Sequence, residues 1–403
     1  MIPFAPPRVD EKTIEAVTEV LKSGWITTGP KTKLLEKKIA EYCGCPAVLC
    51  LNSATAGLEL ALRWYGVGEG DEVILPAYTY AATANVVVHC GAIPVLADVN
   101  ADDFNISVKR IEERITSKTK VIMPVDFGGM PCDYQGIMKV AENTKTQFKP
   151  KGENQTKLGR VLVLSDAAHS FGGTYKGKRT GSLADISVFS FHAVKNLTTA
   201  EGGAMTFCLP APFDNEQIYK ELCIKALHGQ NKDALAKTKK GNWRYDIVEA
   251  GYKCNMTDIV AAMGLVELDR YNGDTLQKRR HIVELYQKGF ASYKWAELPL
   301  FKDGPRESSY HLYPLRIKDV DEAKRDAIIQ EIFDKDVSVN VHFIPLPLLS
   351  FYKNKGYNIK DYPVTYNNFS REISLPVYYD LTDEQVGIVV NAVVNSVKKV
   401  CSF

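Results

Sequence analysis

The sequence contains no long apolar run and no surplus of either charge. Its 403 residues carry 50 Lys and Arg against 48 Asp and Glu, a formal net charge of +2. A duplex or an anionic membrane surface needs a basic footprint, so nucleic acid is excluded as the main partner. No stretch of about 18 apolar residues is present, which excludes a bilayer-spanning helix. The opening MIPFAPPRVDEKT has neither a basic start nor an apolar stretch after it. No secretory leader is therefore expected, and the expected compartment is the cytoplasm. The nine cysteines, Cys43, Cys45, Cys50, Cys90, Cys132, Cys208, Cys223, Cys254 and Cys401, never form CxxC and lie mostly in apolar surroundings. They read as reduced, buried thiols, and with no histidine near Cys43 and Cys45 no metal is assigned. There is no GxGxxG after a strand, which argues against a dinucleotide-binding dehydrogenase. GGTYKGK at 172–178 approaches a phosphate loop, but Arg179 takes the Ser/Thr place and no helix-forming run follows. It is expected to be a β-turn between two short strands. Internal repeats and low-complexity segments are absent.

What is present is alternation. Helical spacing at 31–42, 54–65, 80–89 and 108–115 is interleaved with apolar runs at 47–51, 72–76, 93–99, 120–125 and 161–168, followed by 185–191 and 203–208. These runs are β-branched and Leu-rich with little polar alternation, as in a parallel sheet covered by helices on both faces. The large domain is thus expected to be α/β. A long helix at 258–271 leads onward, and after residue 290 come a strand at 309–317, a helix at 324–333, a strand at 337–343 and a last helix after Thr382. At this length one core of about 150 residues is too small. A large domain of residues 1–263 with an N-terminal arm and a smaller α+β domain of residues 264–403, including the connecting helix, are expected. The polar stretch 144–159 reads as a surface loop.

Three segments carry chemistry. NSATAGLELAL at 52–62 places small and hydroxyl residues where a strand passes into a helix, leaving first-turn amides for an anion, with Ser53 as N-cap. In SFHAVKN at 190–196, Lys195 follows a strand and precedes a small, Gly-rich turn, so its amine points inward. Desolvation would lower its pKa and suit it to forming a Schiff base. In SDAAHSFG at 165–172, Asp166 ends an apolar strand, where open α/β sheets place ligand residues. A protonated pyridine nitrogen is the cation such a carboxylate needs. Alone, each has a plainer reading: a helix cap for Ser53, a solvated charge for Lys195, a salt bridge or cap for Asp166, a satisfied turn for His169.

Together these segments resemble the DegT family of pyridoxal 5'-phosphate (PLP)-dependent nucleotide-sugar aminotransferases, of the aspartate aminotransferase fold, type I. The likeness extends through SGWITTGPKTKLLEKKIAEY, DEVILPAYTYAATANVVVHCGAIPVLADV, SFHAVKNLTTAEGGA, EAGYKCNMTDIVAAMGLVEL and VHFIPLP. SFHAVKN and GYKCNMTD are similar to the branch that aminates C4 of 4-keto sugars. The resemblance implies that Lys195 holds the cofactor and moves protons, that Asp166 pairs with the pyridine nitrogen, and that His169 lies near the phenolic oxygen. It implies that Tyr80 stacks on the ring and that Ala54, Thr55 and Ser190 hold the phosphate. The family's phosphate-contacting asparagine comes from the neighbouring subunit, in the segment Gly251 to Asn255, where either Lys253 or Asn255 could serve. Pro347 replaces a second histidine near the end, and His342 and His311 are either substrate contacts or interior histidines. The implied reaction moves an amino group from an amino acid, glutamate, to C4 of a nucleotide-diphosphate keto-deoxy sugar in a homodimer with shared sites. The alternatives are C3 amination of a 3-keto sugar and a PLP-holding regulator without turnover. The related sugar dehydratases carry histidine where Lys195 stands here.

Overall fold

The computed structural model describes residues 1–232 and 244–401. The apolar runs form β1 (Ala47–Leu51), β2 (Glu72–Pro76), β3 (Ile93–Ala97), β4 (Thr119–Ile122), β5 (Leu162–Asp166), the short pair β6 (Thr174–Tyr175) and β7 (Lys178–Arg179), β8 (Ile186–Ser190) and β9 (Gly203–Phe207). Among the described residues they build a seven-stranded sheet in the order β1-β9-β8-β5-β4-β2-β3. Pairing is parallel from β8 to β3, and β9 is antiparallel to both of its neighbours. The runs lack polar alternation because both faces are covered. On one face Val73 and Leu75 join Leu58 and Val87 of flanking helices; on the other Ile74 joins Ile111 and Ile137. The large sheet is thus α/β and mostly parallel, as expected.

Beyond the helix Asp258–Arg270, a π-type turn at Tyr271–Thr275 leads into the helix Leu276–Phe290. Residues 263 and 264 lie inside the first of these helices. The chain then forms β10 (Ala296–Glu297), β11 (Lys302–Asp303), β12 (Arg306–Glu307), β13 (Tyr313–Ile317) and β14 (Glu372–Leu375). β10, β13 and β14 make an antiparallel sheet against which the helices Glu322–Phe333 and Asp383–Cys401 pack, in an apolar core that is continuous with Leu35, Val48 and Phe189 of the large sheet and its helices. The turn expected at 172–178 is the β6–β7 hairpin, with Lys176 and Gly177 at positive φ (51° and 76°), the twist that suits a tight hairpin. β6 also pairs with β12, tying the hairpin to the later part of the chain.

Two expectations are corrected. Residues 144–159 are not a plain loop: they hold a 3-10 turn at Thr144–Thr146 and a helix at Glu153–Leu158. Gln155 of that helix is buried because its amide donates to the carbonyls of Tyr65 (3.0 Å) and Gly66 (3.2 Å), closing the end of a neighbouring helix. Residues 337–343 do not form a strand, only single bridges at Val337 and Asn340. Side chains satisfy the backbone there instead: the Asn340 Oδ1 accepts from the Val341 amide (2.8 Å) and a Glu372 carboxyl oxygen from the His342 amide (3.1 Å).

Gly203 stands opposite both Leu51 and Ser190 in the sheet. A Cβ there would lie 2.6 Å from the Ala54 amide nitrogen and 2.8 Å from the Phe189 carbonyl. Neither backbone atom can swing aside, so Gly203→Ala should cost about 1–3 kcal/mol of unfolding free energy, read by urea denaturation. An unchanged midpoint would show that the helix start has room to retreat.

Candidate active site

β5 and β8 run parallel and side by side, so Asp166, the last residue of β5, and Ser190, the last of β8, end on one rim. β1 and β8 are both antiparallel to β9, hence β1 ends on the same rim. There the helix Ala54–Trp64 begins, capped by Ser53, whose Oγ accepts from the Ala56 amide (3.1 Å). The absent side chain at Gly203 lets this helix start approach the end of β8. Amides of the first turn then face the rim as an anion seat. A cavity of about 410 Å³ opens at this rim, a size suited to a small-molecule site. Ala54, Thr55 and Ser190 lie along one side of it. Asp166, Lys195 and His169 line it as well, with Tyr80, His311 and His342.

Asp166 is buried, and its Oδ2 accepts from Thr83 Oγ1 (2.8 Å) while its Oδ1 accepts from the Ala168 amide (3.3 Å). Burial pushes its pKa up, opposed by these two hydrogen bonds and by the charge of Lys195. The carboxylate is thus short of a cation. Lys195 is half-buried, and burial lowers its pKa to about 8, with Asp166 acting in the opposite sense. Its backbone amide donates to the His192 carbonyl (2.9 Å), which fixes the turn after β8.

The histidines are held neutral. His169 Nδ1 accepts from the Gly128 amide (3.2 Å), so its hydrogen sits on Nε2. Burial, then the charge of Lys195, holds its pKa well below the usual value. His311 is 4.4 Å from His169 between ring centroids, and its pKa is lowered in the same way, by burial first. Asn196 orients it: the amide donates to the Ser309 carbonyl (2.7 Å), leaving Oδ1 to accept from His311 Nδ1 (2.8 Å). Burial and Lys195 lower His342 to about 3. Tyr80 is exposed at the mouth and leans on Phe343, with ring centroids 5.7 Å apart.

Lys253 and Asn255 are not brought to this cavity. Lys253 Nζ donates to Asn255 Oδ1 (2.6 Å), whose amide donates to Thr28 Oγ1 (2.6 Å), and neither lines the pocket. Thr83, Asn196, Phe4 and Phe343 belong to the site although no motif reading singled them out. Thr83 had a signal: three residues after Tyr80 at a helix start, it returns to the same side. Asn196 adjoins Lys195, whereas Phe4 arrives from the N-terminus by a long-range approach that no local pattern shows. Among the described residues no group of three or more His, Cys, Asp or Glu could hold a metal.

The residues fit PLP. First-turn amides and a hydroxyl offer an anion seat, a cation-poor buried carboxylate suits a pyridinium, and an amine of lowered pKa lines the same cavity. Comparison with known proteins agrees. Residues 7–394 match the DegT/DnrJ/EryC1/StrS aminotransferase family model. A Streptococcus pneumoniae protein described as a sugar aminotransferase, solved in its PMP form, superposes with a TM-score of 0.96 at 48% identity, covering 99% of this chain and 100% of that one. Its PLP form gives 0.94 at 46% identity, covering 99% of each. The spore coat polysaccharide biosynthesis protein SpsC of Bacillus subtilis is 38% identical over 405 residues, 98% of this chain and 97% of its own. A Methanocaldococcus jannaschii protein without an assigned activity is 40% identical over 397 residues, 97% of this chain and 96% of its own.

A lysine whose folded pKa lies near 8, below its unfolded value of 10.5, opposes folding while both states are charged. That cost is present in full below pH 8 and disappears as pH rises to 10.5. Lys195→Met should therefore stabilise the cofactor-free protein at pH 7 by on the order of 2 kcal/mol. The difference from wild type should shrink across pH 8 to 10.5, measured by denaturant unfolding at each pH. A difference independent of pH would mean that Lys195 is not desolvated.

Proposed function

The chain belongs to the DegT/DnrJ/EryC1/StrS aminotransferase family and is a PLP-dependent sugar aminotransferase; from that premise we propose that it moves the amino group of glutamate to C4 of a nucleotide-diphosphate 4-keto sugar. The observation that carries the reading is Lys195, in the turn after β8, in one cavity with Asp166 at the end of β5. When bound, the cofactor carries the amino group between the two substrates and takes up electrons from the reacting carbon. Ala54 and Thr55 amides and Ser190 hold its phosphate, and Asp166, fixed by Thr83, holds the pyridine nitrogen in its protonated form. His169, with its hydrogen on Nε2, donates toward the phenolic oxygen, and Tyr80 covers the ring face.

Lys195 Nζ does the proton work. Near its pKa of about 8 a substantial neutral fraction exists at physiological pH, so the amine takes a proton from the substrate carbon and returns it without a large penalty in either direction. His311 and His342 meet the sugar. Lys253 or Asn255 reaches the phosphate site of a neighbouring copy in a homodimer. The proposed division of labour gives the cofactor to residues 1–263 and one wall of the cleft to residues 264–403. Polysaccharide assembly is the proposed setting, supported by the likeness to the Bacillus subtilis spore coat protein.

Incubation with glutamate and a panel of UDP- and dTDP-4-keto sugars should give 2-oxoglutarate and an amino sugar, with the new C–N bond at C4 by NMR. A product aminated at C3 would transfer the assignment to a 3-keto substrate. Lys195→Ala should abolish turnover and the visible absorbance of the lysine-bound cofactor, and Asp166→Asn should lower turnover on the order of a hundredfold. Mixing inactive Lys195→Ala with inactive Lys253→Ala/Asn255→Ala should restore part of the activity, since a mixed dimer retains one intact site. Mixing that restores nothing would place the whole site within one copy.

A further inference from the structure

Glu372, the first residue of β14, is fully buried and has no part in the steps above. Ser374 lies two residues on, on the same face of the strand. Ser374 Oγ is 2.5 Å from a Glu372 carboxyl oxygen and 2.9 Å from His342 Nδ1. The other Glu372 oxygen accepts from the His342 amide (3.1 Å), so carboxyl and imidazole are clamped to one another. His342 lines the cavity with its ring stacked on Phe4 (centroids 5.4 Å apart) and edge-on to Phe343 (5.0 Å). With Nδ1 committed to Ser374, Nε2 is the nitrogen left for a ligand.

A serine hydroxyl has one hydrogen, so this chain has two directions. With Glu372 protonated, its O–H donates to Ser374 Oγ, the Ser374 O–H donates to His342 Nδ1, and the imidazole hydrogen is on Nε2. With Glu372 ionised, Ser374 donates to the carboxylate, His342 Nδ1–H donates to Ser374, and Nε2 is a bare acceptor. Passing from the first state to the second releases one proton from Nε2. The Ser374 proton moves to Nδ1, the Glu372 proton moves to Ser374, and the ring stays neutral throughout.

We propose that Glu372 and Ser374 are positioning residues that set which nitrogen of His342 carries the hydrogen, and so whether the cavity meets a donor or an acceptor at Nε2. That Nε2 contacts the sugar rests on the function proposed above; the relay itself does not. Burial pushes Glu372 up to about 8, against its hydrogen bonds and against Arg325 and Arg316. Both arginines are committed elsewhere. Arg316, opposite Glu372 on β13, pairs with Glu297 (2.6 Å), and Arg325 pairs with Asp326 (2.7 Å) and donates to the carbonyls of Phe369 and Glu372. Tyr78, whose own pKa is raised by burial and by Glu372, also faces the acid. On the other side His342 faces Lys195, and His169 and His311 lie in its field. A cationic imidazole is disfavoured there, whereas a change of tautomer costs no charge.

The test is nitrogen-15 NMR of the full-length, PLP-loaded protein labelled at histidine, with His342 identified by loss of its signals in His342→Asn. The two nitrogens should exchange their protonated and bare signatures with a midpoint near pH 8, without an imidazolium signal. Glu372→Gln keeps the shape, donates to Ser374 at every pH, and should lock hydrogen on Nε2; Ser374→Ala should abolish the midpoint. The keto-sugar KM should change about fivefold between pH 7 and 9 in the wild type, one hydrogen bond's worth, and stay flat in Glu372→Gln. A single tautomer in the wild type across pH 6.5 to 9.5, or a switch that survives Glu372→Gln, overturns the relay. A switch with an unchanged sugar KM overturns the substrate contact at His342. A switch in a protein that aminates no keto sugar supports the relay and sinks the function instead.

Discussion

The site depends on a scarcity of charge. Asp166 is buried at the end of β5 with two hydrogen bonds and, among the described residues, no cation acting on it except the amine of Lys195. Each group is shifted by burial toward its neutral form, and each opposes that shift in the other. A second positive charge nearby would be repelled by Lys195 and would lose hydration as well. His169, His311 and His342 respond as that constraint requires: all three stay neutral, with hydrogens placed by fixed partners. At these polar groups directional hydrogen bonds therefore stand in place of ionic contacts.

The sheet makes this arrangement possible by topology. A mostly parallel sheet gathers strand ends on one rim, and the antiparallel β9 between β1 and β8 restores the direction of β1. Gly203, in the middle of that triplet, brings the start of the helix Ala54–Trp64 against the end of β8. An anion can then be seated by backbone amides, which add no titratable charge beside the Asp166 and Lys195 pair. A lysine or arginine in that role would disturb the amine whose lowered pKa suits proton transfer.

Much of this was legible from local pattern. The apolar runs marked the strands because each is covered on both faces, and β1 and β2 begin and end at the residues expected. Lys195, Asp166 and the helix start with Ala54 and Thr55 stood out because strand ends and helix starts are sequence-local features, Ser190 was pointed to by the family resemblance, and the fold brings all five to one cavity. What stayed hidden depends on distance in the chain. Thr83 holds Asp166 across 83 positions and Asn196 holds His311 across 115. The run 337–343 read as a strand from its alternation, yet Glu372 and Asn340 take the amides that a ladder would have used. A helix at 153–158 was masked by polar composition, since Gln155 is buried through its hydrogen bonds and not through hydrophobicity.

The near-balanced composition bears on the anionic substrate in the proposed reaction. A net charge of +2 spread over 403 residues creates little long-range field, so a diphosphate must be met by groups at short range. Yet among the described residues the cavity wall offers Lys195 as its one lysine or arginine, beside Glu201 and four histidines, of which His169, His311 and His342 are held neutral. In the proposed reaction Lys195 is engaged with the reacting carbon and is unavailable for a phosphate group. In that reaction the cations that meet the diphosphate would come from outside this wall. Lys253 lies on the segment that pairs with the end of β1, close to the rim in sequence and pairing but outside the cavity of its own chain. In the proposed reaction the diphosphate charge would be met from beyond the described wall, and Lys253 of a neighbouring copy is the group the proposal assigns to it.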